Sequence, residues 1–340
     1  MPLHPYRQWL RPLLFSLDAE FVHHFAMNTL RVAGRALYSF KPRQDPRLAR
    51  TVFGINFPNP VGLAAGFDKN AVALPVWQTM GFGFVEAGTV TARAQPGNPS
   101  PRIFRLPEYQ ALINRLGFNN DGADAVAARL QRLKDNNRWP LIPVGINIGK
   151  SKLTPLEEAT ADYLLSFQRL QQFADYFVLN VSSPNTPGLR TLQDRPALDE
   201  LLGHIQSRNA THKPVLVKIA PDLDWPALEE IIELAQEHNM AGLIATNTTI
   251  DQGALPAQYR RQGGLSGAPL RERSTEIVRF IAERCTLPVI AVGGIMNVDD
   301  ALQKFDAGAA LIQLYTGFIY EGPSLVSDIC KALLVRAGGP

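Results

Sequence analysis

From about residue 50 onward, short apolar runs alternate with turn residues and with stretches whose apolar positions recur at helical spacing. The runs are Val61 to Ala65, Phe82 to Val90, Val144 to Ile148, Tyr176 to Val181, Val215 to Ile219, Gly242 to Ala245, Val289 to Val292 and Leu311 to Leu314. Continuous apolar runs of this length suit strands covered on both faces, and the helical stretches between them suit crossovers, so the strands are predicted to be parallel. Eight such units over about 280 residues predict a closed (β/α)8 TIM barrel. A doubly wound open sheet is the alternative. Between the second and third runs, Ala92 to Asn120 is long and turn-rich, with Gln95-Pro96-Gly97-Asn98-Pro99, and predicts an insertion or lid over the barrel mouth.

The first residues follow a different pattern. Tyr6, Trp9, Leu10, Leu13, Leu14 and Leu17 recur at helical spacing, with Pro12 set to kink or restart the helix. Asp18 suits a helix N-cap, and a second stripe runs through Val22, Phe25, Ala26, Thr29, Leu30 and Ala33. Two amphipathic helices of this kind either lie in a membrane interface or pack on the main domain. Residues 1 to 50 carry eight Lys or Arg against three Asp or Glu, a net +5, which leaves −2 for the rest of a chain whose total is +3. That asymmetry points the basic end at an anionic surface, and its aromatic content favours membrane over nucleic acid. The longest apolar run near the start, Leu13 to Leu17, is ended by Asp18 and Glu20, too short for a spanning helix or a signal peptide. The expectation is an α/β TIM (β/α)8 barrel over residues 46–340 preceded by an N-terminal amphipathic helical extension over residues 1–45.

At 340 residues with ordinary apolar content, the chain can bury a large core. Cys285 and Cys330 stand far apart without metal-ligand spacing, so no disulfide framework, no zinc site and a reducing cytosol are expected. The informative chemistry lies at the tails of the apolar runs. In order these tails are Gly66-Phe67-Asp68-Lys69, Gly88-Thr89, Asn147, Asn180 to Asn185, Lys218, Thr246-Asn247-Thr248, Gly293-Gly294 and Tyr315-Thr316-Gly317. A barrel keeps its active site at the C-terminal ends of its strands, and polar tails from all eight predict one ligand-filled mouth. Lys218, inside Val215 to Ile219, calls for an anionic or acceptor partner such as a reduced flavin or a phosphate, unless it snorkels to the rim. Asn147 is either a ligand contact or an amide satisfied by its neighbours. Gly293-Gly294 and Thr316-Gly317 stand where such barrels bind phosphate through backbone N–H groups.

His4, His23, His24, His204, His212 and His238 all lie away from the strand tails in sequence, which removes the usual general base. Ser183 remains, in Asn180-Val181-Ser182-Ser183-Pro184-Asn185-Thr186-Pro187-Gly188. It is either a base that passes its proton on while a cofactor takes a hydride, or a turn serine capping its own loop.

These motifs resemble those of the dihydroorotate dehydrogenases, in particular the quinone-linked, membrane-associated class. The matching stretches are Gly62 to Lys69, Asn114 to Asn120, Asn180 to Gly188, Ala245 to Thr249 and Gly263 to Gly267, in one order along the whole chain. The resemblance implies an FMN-dependent oxidoreductase that converts (S)-dihydroorotate to orotate in de novo pyrimidine (UMP) biosynthesis and passes electrons to a membrane quinone. It implies Ser183 as the base, since the soluble classes carry Cys there. It assigns Lys69, Asn114, Arg115, Leu116, Gly117, Phe118, Asn180, Asn185, Asn247 and Thr248 to the substrate. To FMN it assigns Ala65, Gly66, Phe67, Asp68, Lys69, Thr89, Asn147, Asn180, Lys218, Thr246, Gly267, Gly294, Tyr315 and Thr316. His23 and Arg105 resemble polar members of a quinone site, and no metal is implied. The class further implies a monomer held peripherally on the cytoplasmic face of a bacterial inner membrane through the N-terminal helices, with no nucleic-acid partner. Two alternatives stay open: another FMN barrel acting on a pyrimidine, which would use Cys as acid, and a non-catalytic membrane-surface scaffold.

Overall fold

The computed structural model describes residues 5–37 and 44–338, without the side chains of residues 35–37. His4, Lys41 and Arg43 therefore lie outside the described residues, as does the side chain of Arg35. The eight apolar runs form β1 (Val61–Leu63), β2 (Phe84–Val90), β3 (Val144–Ile148), β4 (Tyr176–Asn180), β5 (Val215–Ile219), β6 (Gly242–Ala245), β7 (Val289–Val292) and β8 (Leu311–Leu314). They close into one barrel whose order around the wall is the order along the chain, each strand parallel to its neighbours. Five of the eight predicted boundaries are met to the residue; the others run one or two residues too far, because apolar residues continue into the adjoining turns.

Inside the barrel, side chains alternate between large and absent so that opposite walls can meet. A Cβ on Gly62 would lie 2.3 Å from the Phe84 ring, and one on Gly145 would lie 2.2 Å from the Tyr176 ring. The hairpin Arg50–Val52 and Ile55–Phe57 plugs the lower end with Phe57, which meets Phe84 edge-on at 5.2 Å between ring centroids. The crossover helices begin where polar side chains can take up free N–H groups: Asp224 accepts from Ala227 N at 2.9 Å, and Asn297 from Asp300 N at 2.9 Å.

The predicted lid is a small antiparallel sheet. Ile103–Leu106 pairs with Ala111–Asn114, and Gly264–Gly267, from the segment after β6, pairs along the other edge of Ala111–Asn114. Against it lie the N-terminal helices, α1 (Arg11–Phe15) and α2 (Ala19–Leu37). Pro12 lacks an N–H, and the turn before it widens into a π-helical stretch at Tyr6–Leu10, with Arg11 N bonded to Tyr6 O. Asp18 caps α2, its carboxylate accepting from Phe21 N at 2.9 Å. The pair does pack on the barrel: Tyr6 donates to Ile319 O at 2.6 Å and Arg11 to Tyr320 O at 3.0 Å. It also leaves Trp9 77% and Leu13 63% exposed, with Phe21 and Phe25 close behind. Among the described residues no helix is long and apolar enough to cross a membrane.

Candidate active site

A cleft of about 980 Å³, counting the space open to solvent at its mouth, lies at the C-terminal ends of the strands beneath the lid. Parallel strands all deliver their tails to this end, which is why residues distant in sequence converge there. Its wall takes Ala65, Gly66 and Lys69 from beyond β1, Thr89 from β2, Asn180, Ser183 and Asn185 from β4 and its loop, and Lys218 from β5. Thr246, Asn247 and Thr248 follow β6, Gly293 and Gly294 follow β7, and Tyr315, Thr316 and Gly317 follow β8. The lid adds Asn114, Leu116, Gly117, Phe118, Ser266 and Gly267.

The amides in this wall form a connected network. Asn180 Nδ2 donates to Thr89 Oγ1 at 2.9 Å and to Asn147 Oδ1 at 3.2 Å, while Asn247 Nδ2 donates to Asn180 Oδ1 at 3.1 Å and to Ser182 Oγ at 3.0 Å. Across the cleft, Asn185 Nδ2 reaches Asn114 O at 3.1 Å and so ties the Ser183 loop to the lid. Arg190 joins the loops after β4 and β6, donating to Ser182 O at 3.1 Å and to Thr248 O at 3.0 Å, and is itself held by Asp222 at 2.8 Å. Side chains held in this way stay in their rotamers, so the edges shown to a ligand are set in advance.

Ser183 is buried in the lining, and among the described residues its oxygen accepts only a long bond, 3.3 Å from Asn185 N. Lys69 is buried near Glu20 and Asp68; burial lowers its pKa to about 8, Glu20 and Asp68 pulling upward against that and Arg102 adding to it. Lys218 is likewise lowered by burial, with Glu86 opposing. Among the described residues neither lysine donates a hydrogen bond, so each holds a cationic group ready for an acceptor. Three glycines shape the far end. Gly267, Gly293 and Gly294 have φ of +94°, +114° and +72°, and a Cβ on Gly294 would lie 2.2 Å from Arg271 Cα. Only glycine holds such a backbone this close, leaving N–H groups and the first turn of Thr316–Glu321 facing the cleft wall.

Four expected contacts lie elsewhere. Asn147 does not reach the lining: its Oδ1 accepts from Thr89 Oγ1 at 2.6 Å and its Nδ2 donates to Glu86 at 2.8 Å, so β3 touches the cleft only through Thr89 and Asn180. The Asp68 carboxylate is fully buried against Val72 N, Ala73 N and Trp77 Nε1, organising the turn that carries Lys69. Phe67 lines a neighbouring cavity, and Arg115 turns outward to Pro101 O at 2.9 Å. Sequence reasoning passed over Glu86 and Gln313, polar residues in the middle of buried strands, although the signal that marked Lys218 applies to both. It also passed over Lys304, fully buried behind Gly293, where Nζ meets Ser274 Oγ at 2.5 Å and Thr275 Oγ1 at 2.6 Å.

The neighbouring cavity is apolar and lies under the N-terminal helices, lined by Leu10, Leu14, Val22, Ala26, Leu30 and, from the barrel, Phe67, Met80 and Phe318. His23 and Arg105 are among its polar members. His23, distant from every strand tail in sequence, packs edge-on against Phe67 at 5.6 Å, and burial together with Lys69 and His24 holds its pKa well below the ordinary value, leaving a neutral imidazole. Arg105 donates to Leu14 O at 2.8 Å and to Leu17 O, and its guanidinium sits 4.8 Å from the Phe15 ring centroid. Asn114, Leu116 and Tyr315 line both cavities and form the wall between them.

Residues 47–336 match the family described as dihydroorotate dehydrogenase. The dihydroorotate dehydrogenase (quinone) of Gloeobacter violaceus is 54% identical over 333 residues, covering 96% of this chain and 93% of its own. That of Thermosynechococcus vestitus is 51% identical, covering 99% and 98%. Among solved structures, Eimeria tenella DHODH in complex with ferulenol superimposes with a TM-score of 0.84 at 39% identity, covering 94% of this chain and 93% of that one.

Proposed function

Since the chain belongs to the dihydroorotate dehydrogenase family, we propose that it oxidises (S)-dihydroorotate to orotate in pyrimidine biosynthesis, with FMN as hydride acceptor and a membrane quinone as electron acceptor. The observation that carries this reading is Ser183, lying with the asparagines 114, 180, 185 and 247 and two buried lysines in one cleft that glycines keep open at its far end. Dihydroorotate oxidation removes a proton from C5 and a hydride from C6, and bound FMN supplies the acceptor for that hydride.

Ser183 takes the C5 proton, its lightly engaged oxygen belonging to a residue of the cleft lining. Four asparagines match a flat ring edged with amide-like donors and acceptors, because each can offer either. Lys69 balances the substrate carboxylate. Lys218, buried and lacking a hydrogen bond among the described residues, fits the electron-rich edge of a flavin ring, where charge develops as the hydride moves. The close backbone at Gly267, Gly293, Gly294 and Thr316 suits the FMN phosphate.

Residues 1–45 serve the second half-reaction. The cavity lined by α1 and α2 admits an apolar quinone tail, with His23 and Arg105 for the quinone oxygens, and the exposed Trp9, Leu13, Phe21 and Phe25 dip into the bilayer surface. A pyrimidine enzyme using Cys as acid is disfavoured, because Cys285 follows the helix Arg271–Arg284 and Cys330 lies within Ser324–Arg336, neither in the cleft lining. Anaerobic addition of dihydroorotate to the purified yellow protein is expected to bleach the visible flavin band, and quinone to restore it. A flavin band unchanged by dihydroorotate rejects the substrate.

A further inference from the structure

Glu86 is a carboxylate at the heart of the barrel with no part in the chemistry above. It lies mid-strand in β2, is fully buried, and faces inward beneath the cleft. Its two oxygens receive two amide donors: Asn147 Nδ2 at 2.8 Å on one, Gln313 Nε2 on the other. Lys218 lies close enough to interact with it electrostatically.

An ionised carboxylate only accepts, whereas each amide can turn either way, and that asymmetry gives the network a direction. With its NH₂ committed to Glu86, Asn147 must present Oδ1 to Thr89 and Asn180. Asn180 therefore points its NH₂ inward and its Oδ1 toward Asn247 and Ser182, at 3.1 and 3.2 Å. Asn247 spends both its N–H groups on Asn180 and Ser182, so its Oδ1, which accepts from Thr248 N at 2.8 Å, keeps a lone pair for a ring N–H. On the other branch, Gln313 lines the cleft, and its Oε1 is buried with no hydrogen-bond partner among the described residues. The outer end is held in the same sense by backbone N–H groups, Thr248 N on Asn247 Oδ1 and Ser182 N on Asn180 Oδ1. An acceptor-only anchor is therefore needed for the inner amides, Asn147 and Gln313, which would otherwise turn over and set a donor against Asn180 or toward the cleft.

We propose that Glu86 is a positioning residue, an acceptor-only anchor that holds Asn147 and Gln313 in the donor-to-acceptor sense that backbone N–H groups impose on Asn180 and Asn247, so that the network under the ligand is free of opposed donors and the cleft keeps its affinity for the ring. The inference rests on the proposed function, since its ligand is orotate. The test is Glu86→Gln, which keeps shape and puts one donor and one acceptor where two donors arrive, so that either Asn147 or Gln313 must turn. Calorimetric titration of FMN-loaded protein with orotate is expected to show affinity weakened by about tenfold or more, with FMN still bound and the melting temperature little changed. The paired substitution Glu86→Gln with Asn147→Asp moves the carboxylate one link along: the new carboxylate accepts from the new amide at 86, from Thr89 and from Asn180. The direction beyond it is preserved, and orotate affinity should return to within about threefold of wild type.

Wild-type affinity in the single variant, or a paired variant no better than the single one, overturns the proposal. Should the single variant fail to fold or to hold FMN, recovery of orotate binding in the pair supports it, and failure of the pair rejects it. A wild-type protein that gives no heat with orotate rejects the proposed function and this inference together, whereas equal binding by wild type and Glu86→Gln rejects this inference alone.

Discussion

The cleft at the strand ends and the cavity under the N-terminal helices meet at Asn114, Leu116 and Tyr315, yet they are built on opposite plans. In the cleft, side chains rise from barrel strands whose ends cannot shift independently, and the amides hold one another in a directed network down to Glu86. The cavity is walled by two helices fastened at a few points: Tyr6 to Ile319, Arg105 to Leu14, and Glu20 to Arg102 at 2.6 Å. Directed hydrogen bonds discriminate among small polar rings, because a wrong ring leaves buried groups unpaired. Apolar walls accept a long hydrophobic chain mainly by area, and discriminate weakly. The difference is one of tolerance: the barrel side should fail on a single changed atom, and the helix side only on loss of a whole element.

The largest expected effect lies on the cleft side. Ser183→Ala should keep bound FMN while anaerobic flavin reduction by dihydroorotate slows by about 10² to 10⁴-fold, the usual contribution of a positioned base. Unchanged reduction in stopped flow removes Ser183 from that role, and with it the contrast in tolerance.

Deleting residues 1–40 should leave flavin reduction intact and slow reoxidation by quinone, on the order of 10²-fold, as expected when positioning is lost. Equal quinone rates before and after truncation show that the helices do not form the quinone path.

A smaller effect belongs to Lys69. Its pKa of about 8 means the ammonium is present below that pH and lost above it, so KM for dihydroorotate should rise as pH climbs through about 8. Lys69→Met should raise KM at low pH and flatten the profile; a wild-type profile in that variant would exclude carboxylate binding by Lys69.

The smallest effect concerns the support behind Gly293. Burial pushes Lys304 down to about 7, with Asp300 opposing and Arg271 assisting, against an ordinary 10.5. Between those values the unfolded chain binds more protons than the folded one, so this group makes stability rise as pH increases from about 7 toward 10.5. Lys304→Met should flatten that slope in thermal melts across the window, and an unaltered slope would mean that the lysine is not proton-linked to folding.

Much of the cleft was legible in sequence because a parallel barrel converts one-dimensional position into place: whatever sits at or just beyond the C-terminal end of a strand ends up at one rim. Thr89, Ser183, Lys218 and Asn247 could be located by that rule alone. Asn147 shows its limit, since pleat and register decide whether a polar tip reaches the ligand or stops against Thr89 and Asn180. The choice between a packed helix pair and a membrane-facing one was left open by periodicity, and the structure supplies both a face packed on the core at Met27 and an exposed one at Trp9 and Leu13.

Local order along the chain thus determined the strands, their closure and the side on which the chemistry gathers, because periodicity and turn residues act through near neighbours. Tertiary structure alone decided that His23 sits beside Phe67, that Lys304 backs Gly293, and that Glu86 anchors amides from β3 and β8. Those pairings depend on which side chains face each other across the barrel or between layers, a geometry that exists only once the strands have closed.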